Sequence, residues 1–186
     1  MPRYVALLRG VNVGRRNRVA MADLRQVARS LGHTDVATYI QSGNLLFSSP
    51  DESVLRVADA LEQAIASSLG VQPVVVVLSP ADLARVIADT PFPDETNLQC
   101  LHAVVRRETM TTDEIAAVDA AQQVARAKGS RDEAVVVGRA LFLRTPDGIG
   151  RSDLALRLGR SGGLAAGTAR NWATVTRLMG MLDPVD

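Results

Sequence analysis

The sequence predicts an α+β protein built from two tandem β-α-β-β-α-β units, and three observations carry that expectation. Over residues 1–78, strand-like apolar runs and helix-spaced stripes succeed one another in that order. From Gln99 onward the order β-α-β-β returns. The segments GNLLFSSP (43–50) and GRALFLRTP (138–146) also resemble each other, which suggests a diverged internal duplication.

YVALLRGV at 4–11 is a near-continuous apolar run with glycines close by, the pattern of a strand buried on both faces. From Met21, the residues Leu24, Val27, Ala28 and Leu31 recur at helical spacing, and Gly32 supplies the stop. DVATYIQSGNLLFSSP follows as two β-rich runs split by Ser42-Gly43-Asn44, where glycine and asparagine accept a positive φ. Ser49-Pro50-Asp51-Glu52 reads as a capping box, and Val54, Leu55, Ala58, Leu61, Ile65 and Leu69 continue a helix to Gly70. VQPVVVVL then makes a strand. This is the split unit of ferredoxin-like folds, with both helices on one face of an antiparallel sheet.

A second box, Ser79-Pro80-Ala81-Asp82, opens a linking helix to about Ala88, and TPFPDETN separates it from the strand QCLHAVVRR. Thr111-Thr112-Asp113-Glu114 starts a helix that ends at Gly129, and AVVVGRALFLRTPDG forms another hairpin. A helix-like stretch at Ser152–Leu158, the segment SGGLAAG and a helix from Thr168 complete the chain, leaving room for only a short final strand. The expected division is a ferredoxin-like subdomain over 1–78 and a second, diverged one over 79–186 that carries the linking helix and the C-terminal helix.

With 186 residues, 47% hydrophobic and 22% charged, the chain can bury a core without disulfides or metals, and no apolar run approaches the ~20 residues of a membrane span. MPRYVALLRG reads as a first strand rather than a signal peptide, so the expected compartment is the cytoplasm. A net charge of +1 gathers no polyanion, and 3% aromatics disfavour nucleic-acid binding through stacked bases. Nearly every basic residue is arginine, Lys128 being the exception.

Chemistry concentrates in LLRGVNVGRRNRVAM at 7–21. Gly10 and Gly14 let backbone approach a ligand after a strand, Arg15, Arg16 and Arg18 supply positive charge, and a helix start follows. Other helices open on Ser49, Ser79, Thr111 or Thr168, whereas this one starts near Val19-Ala20 with no capping oxygen. The spacing matches neither a P-loop nor a dinucleotide fingerprint. Asn12 is expected to brace the loop and Asn44 to tolerate a left-handed turn. Arg9, ending an apolar strand, requires a carboxylate, a carbonyl or a ligand anion.

In GTARNWATVTRLMGML, Thr168 reads as an N-cap with Arg170 and Asn171 in the first turn, where Arg170 would face an acid or a bound anion. Trp172, Val175, Met179 and Leu182 make an apolar stripe suited to core or to a homodimer contact. His33 and His102 are not at metal-ligand spacing, Cys100 reads as a neutral buried thiol, and no hydrolase or zinc motif occurs.

YVALLRGVNVG (4–14), AMADLRQVARSLG (20–32), TYIQSGNLLF (38–47), DGIGRSDL (147–154) and TARNWATVTRL (168–178) together resemble the bacterial family catalogued as domain of unknown function 1697. The resemblance implies two ferredoxin-like subdomains and no established activity. Its recurring polar positions fall on Arg9, Gly10, Asn12, Gly14, Ser42, Gly43, Asn44, Arg170, Asn171 and Trp172. Where that family often shows lysine and proline before the helix, this chain has Arg18 and Ala20.

The function expected is binding of a small anion of phosphate or nucleotide type, with no cofactor, by the loop 9–18 and the start of the last helix. The expected ligand set is Arg9, Gly10, Asn12, Gly14, Arg15, Arg18, Ser42, Asn44, Arg170 and Asn171. The alternatives are an enzyme using Ser42, Asn44 and nearby acids, and a structural or protein-interaction module.

Overall fold

The computed structural model describes residues 1–12, 17–160 and 166–182. These contain eight strands and six α-helices. The order is β1 (Arg3–Arg9), α1 (Met21–Ser30), β2 (Thr34–Tyr39), β3 (Asn44–Ser48), α2 (Val54–Leu69) and β4 (Val74–Leu78). There follow α3 (Pro80–Ala88), β5 (Leu101–Arg106), α4 (Thr112–Ala127), β6 (Glu133–Val137), β7 (Ala140–Arg144), α5 (Asp153–Arg160), β8 (Gly167–Asn171) and α6 (Trp172–Leu182). The strands form two four-stranded antiparallel sheets ordered β2-β3-β1-β4 and β6-β7-β5-β8. Contacts divide the chain into one unit of Met1–Arg85 with the segment from Arg177, and another of Val86–Thr176.

In the first unit, alternate residues of the sheet face the helices, as the two-residue strand period dictates. Tyr4, Ala6 and Leu8 of β1, Leu45 and Phe47 of β3, and Val75 and Val77 of β4 pack with Leu24, Val27 and Ala28 of α1 and Val57, Leu61 and Ile65 of α2. The capping boxes at Ser79–Asp82 and Thr111–Glu114 form as expected. The one expected at Ser49 does not. Ser49 Oγ accepts from Asp51 N–H (3.1 Å), Asp51 Oδ1 accepts from Ser53 N–H (2.8 Å), and Ser53 caps α2 by accepting from Arg56 N–H (3.4 Å). Two consecutive side-chain turns therefore delay the helix to Val54.

The two sheets repeat one register. Leu7 pairs with Asn44 and Arg3 with Ser48; Val105 pairs with Ala140 and Leu101 with Arg144. Leu8 N–H donates to Gly43 O (2.8 Å) as Arg106 N–H donates to Arg139 O (3.0 Å), so Arg106 stands where the first unit has Leu8. The turns after α1 and α4 also match: His33 and Ser130 each donate their N–H to the carbonyl of an alanine five residues back, Ala28 and Ala125. That correspondence is consistent with two tandem units of one topology.

The C-terminal segment corrects one expectation. Thr168 is no N-cap, and Arg170 and Asn171 are not helical; Gly167–Asn171 is β8, paired antiparallel with β5. Sheet pairing overrides the local cap signal. The close approach needs Gly167, since a Cβ there would lie 2.8 Å from Val104 Cγ1 and 2.9 Å from Val105 O. Asn171 then caps α6, its Oδ1 accepting from Thr174 N–H at 2.8 Å. In the stripe of α6, Trp172, Val175 and Leu182 are buried within the single chain, and Trp172 meets the Phe142 ring edge-on at 6.1 Å. No helix among the described residues is long and apolar enough to cross a membrane.

A buried histidine, His33, and a half-buried one, His102, make stability depend on pH. His33 is 7% exposed, stacks on Phe47 at 4.5 Å, and neither ring nitrogen has a hydrogen-bond partner among the described residues. Burial pushes its pKa down, partly opposed by the Asp51 carboxylate, and burial also lowers His102. The unfolded chain therefore binds more protons below about 6.5, the ordinary histidine value. Stability from these groups is complete above that pH and declines as pH falls toward their folded-state values. Urea unfolding between about pH 7.5 and pH 5 should show this decline, and His33→Phe should flatten it.

Candidate functional site

The site is built where β1 ends. Gly10 takes φ +82, and Asn12 takes φ +54, a left-handed conformation that asparagine accepts. Asn12 Nδ2 donates to the carbonyls of Val19 (2.9 Å) and Gln41 (3.0 Å), while its Oδ1 accepts from Val19 N–H (2.9 Å). Asn17 returns the chain, its Nδ2 donating to Gly10 O at 2.9 Å and its carbonyl accepting from Asn12 N–H at 2.9 Å. The β1–α1 connection is thereby clamped to itself and to the β2–β3 hairpin.

A hollow of about 390 Å³ opens beside this clamp, lined by Asn12, Arg18, Val19, Ala20 and Gln41. Ala20 is the N-cap of α1, extended at φ −69 and ψ 135, and gives that helix no side-chain cap. First-turn amides in such a helix start are unmatched within the helix and carry partial positive charge. Arg18, exposed on the same wall, adds a full one. The wall is polar and cationic, suited to a phosphate or carboxylate.

The corresponding corner of the second unit contains an acid of its own. α4 is capped by Thr111, whose N–H donates to Glu114 Oε2 at 2.8 Å while Glu114 N–H donates to Thr111 Oγ1 at 3.2 Å. The other carboxylate oxygen, Oε1, accepts from Arg106 Nη2 at 2.8 Å. Arg106 and the Thr111 hydrogen bonds together hold the Glu114 carboxyl down at about 2, so it stays ionised. A helix start, an arginine and a carboxylate thus meet in the second unit, whereas α1 has the helix start and Arg18 beside an open hollow. Asp23, at the third position of α1 as Glu114 is of α4, does not cap its helix and lines a separate hollow with Gln26, Val27 and Ser30.

The remaining expected residues fall as follows. Gly14 and Arg15, with Arg16, lie outside the described residues. Arg9 ends β1 as an exposed residue and is not without an interaction partner. Asn44 is not a left-handed turn residue. It begins β3 fully buried, with Nδ2 donating to Tyr39 O (3.1 Å) and Ser42 Oγ (2.9 Å), and the positive φ values belong to Ile40 (+48) and Gly43 (+74). Arg170 is nine-tenths buried in β8, donates from Nη1 to Ala169 O at 2.8 Å, and burial lowers its pKa to about 10. Arg170 and Asn171 belong to the second unit, and the clamp to the first. Burial, with Glu95 nearby, raises the Cys100 thiol, which points to Asn97 O and stays neutral.

Sequence reasoning missed Gln41, whose carbonyl anchors Asn12 and which lines the hollow. Its neighbours Ser42-Gly43-Asn44 were the visible signal, and only the fold brings the hairpin against residue 12.

The fold and this corner define the class: an α+β protein of two tandem βαββ-type units with a polar hollow at the end of its first strand. Residues 1–142 match the family described as "Protein of unknown function (DUF1697)", and the chain belongs to it. Among solved structures it is similar to that of the conserved bacterial protein SP0830 from Streptococcus pneumoniae, at 26% identity, with 98% of this chain and 99% of that chain covered and a TM-score of 0.74. A search of curated proteins finds no match.

Proposed function

We propose that this is a cytoplasmic binding protein for a small anion, a phosphate or a nucleotide phosphate, at the hollow beside α1. The observation that carries the reading is the contrast between the duplicated corners. Where α4 and Arg106 hold the Glu114 carboxylate, α1 and Arg18 face an open hollow of similar chemistry. Arg18 supplies the charge-assisted contact and the first turn of α1 the amide donors. Asn12 is a positioning residue, because its hydrogen bonds hold Val19 and Gln41 on either side of the hollow. Ser42 and Asn44 brace the hairpin that presents Gln41. Arg9 and Gly10 shape the strand end, and Gly14 and Arg15 lie outside the described residues. The reading stops at the first unit, since Asn171 caps α6 and Arg170 is buried in its own sheet.

Thermal unfolding with inorganic phosphate, pyrophosphate and adenosine nucleotides tests this, because a ligand that prefers the native state raises Tm. A dose-dependent rise is expected for at least one of them, and Arg18→Gln should weaken it about tenfold or more, the worth of one charge-assisted contact. A Tm indifferent to every probe up to about 10 mM would refute the proposal.

A further inference from the structure

The segment DGIGRSDL plays no part in the anion site, yet four of its residues line a hollow of about 230 Å³ in the second unit. This hollow lies where the turn after α4 meets the start of α5, and its floor is Asp132, only 5% exposed. Asp132 Oδ2 accepts from the hydroxyls of Ser130 and Ser152, each at 2.8 Å. Among the described residues no hydrogen bond reaches Oδ1, and this atom is not sealed from solvent. A buried carboxylate with one oxygen saturated and the other bare in a hollow calls for a donor from outside, preferably a cation.

The other charges on the wall show what that donor would be attached to. Asp147 is held by Arg131, and Asp153 by Arg157 at 2.6 Å, so both acids already have their counter-ions. Lys128 and Arg151 line the same hollow, are exposed, and form no ion pair among the described residues. No group of three metal-ligating side chains occurs among the described residues, which disfavours a bare divalent ion. Where the first unit has the bulky imidazole of His33, the matching position here is Ser130, which is small and already turned to Asp132.

We propose that this hollow binds a small zwitterion of the α-amino-acid kind, its ammonium on Asp132 Oδ1 and its carboxylate on Lys128 and Arg151. The site is separate from the anion site and independent of it, because every residue it uses lies in the second unit. Ser130 and Ser152 are positioning residues that fix the carboxylate plane; Ser152 also caps α5 by accepting from Ala155 N–H at 2.8 Å.

Backbone amide NMR on the ¹⁵N-labelled full chain tests it, with glycine, serine, aspartate and arginine as zwitterions, and acetate, methylammonium and magnesium chloride as single-charge probes. At least one amino acid should give saturable shifts at Ser130, Asp132 and Ser152, with acetate and methylammonium at least about tenfold weaker. Asp132→Asn should abolish the shifts. Because that variant disturbs a buried hydrogen-bonded group, Arg151→Gln and Lys128→Met, both at exposed positions, provide the second check and should each weaken binding several-fold with an unchanged circular dichroism spectrum. No saturable shift from any amino acid, equal binding of acetate alone, saturation by magnesium alone, or full affinity in both exposed variants would each overturn the proposal.

Discussion

Gly43→Ala should be the most damaging single-methyl change in the first unit, lowering stability by about 3–5 kcal/mol. Two costs act together. The residue sits at φ +74, where an L side chain meets its own backbone at roughly 1–2 kcal/mol. The added Cβ would also lie 2.6 Å from Val11 Cγ2, 2.8 Å from Leu8 Cβ and 3.2 Å from Leu8 O, which forces the hairpin away from β1. Leu8 is buried in the core and its N–H donates to Gly43 O, so the strand end cannot retreat. Gly10→Ala separates the two costs, since Gly10 has φ +82 but nothing within 4 Å of an added Cβ. That variant should lose only the conformational part, about 1–2 kcal/mol. Thermal unfolding by circular dichroism should place Gly43→Ala roughly 6–20 °C below the native chain and Gly10→Ala only a few degrees below it. Equal losses would show that the close approach does not matter, and no loss at Gly43 would show that the hairpin does not seat against β1 as described.

The architecture was legible because its causes are local. The stripe Leu24, Val27, Ala28 has the 3.6-residue period of a buried helix face, and VVVVL at 74–78 is too short and too β-branched for anything but a strand. Thr111-Thr112-Asp113-Glu114 contains both halves of its capping box, so the start of α4 is visible without tertiary information. Ser49 misled because Pro50-Asp51 after a serine suits a helix start and an Asx turn equally well, and the Asp51 side chain chose the latter. Thr168 misled for a different reason. TARN has weak preferences, and its strand conformation comes from pairing with β5, more than sixty residues earlier.

The candidate site was legible as a location more than as an arrangement of groups. The missing cap before Met21 is a property of three residues and could be read directly. What lies opposite that helix start could not, because Gln41 reaches it through the hairpin and through one hydrogen bond spanning 29 residues. The contrast with the second unit was equally hidden. Nothing in QCLHAVVRR separates Arg106 from Arg107, yet register puts Arg106, only 8% exposed, on the face that Leu8 occupies in the first unit and leaves Arg107 beyond the strand end. Burial then obliges Arg106 to find a carboxylate, and Glu114 supplies it from within the helix start. Two units of one topology thus have one corner occupied by its own carboxylate and the other open to a hollow.

Asn12→Ala should remove the open corner and destabilise the first unit by about 3–5 kcal/mol. Three hydrogen bonds are lost, each worth about 0.5–1.5 kcal/mol net. Alanine at φ +54 adds roughly 1–2 kcal/mol that asparagine largely avoids through its local hydrogen bonding. Asn12→Gly keeps the backbone conformation without strain but loses the same hydrogen bonds, so it should recover about 1 kcal/mol of stability while leaving the walls of the hollow loosely held. Asn12→Asp discriminates further. Its carboxylate can still accept from Val19 N–H, but it has no donor for the Val19 and Gln41 carbonyls, and its negative charge faces the same space as an incoming anion. Phosphate-dependent stabilisation should therefore vanish in Asn12→Asp even where the fold is largely kept, and Asn12→Gly should bind weakly instead of not at all. Chemical denaturation measures the stability order, native above Gly above Ala, and phosphate titration of each variant measures binding. If Asn12→Asp bound phosphate as tightly as the native chain, the hollow beside α1 would not be where the anion sits.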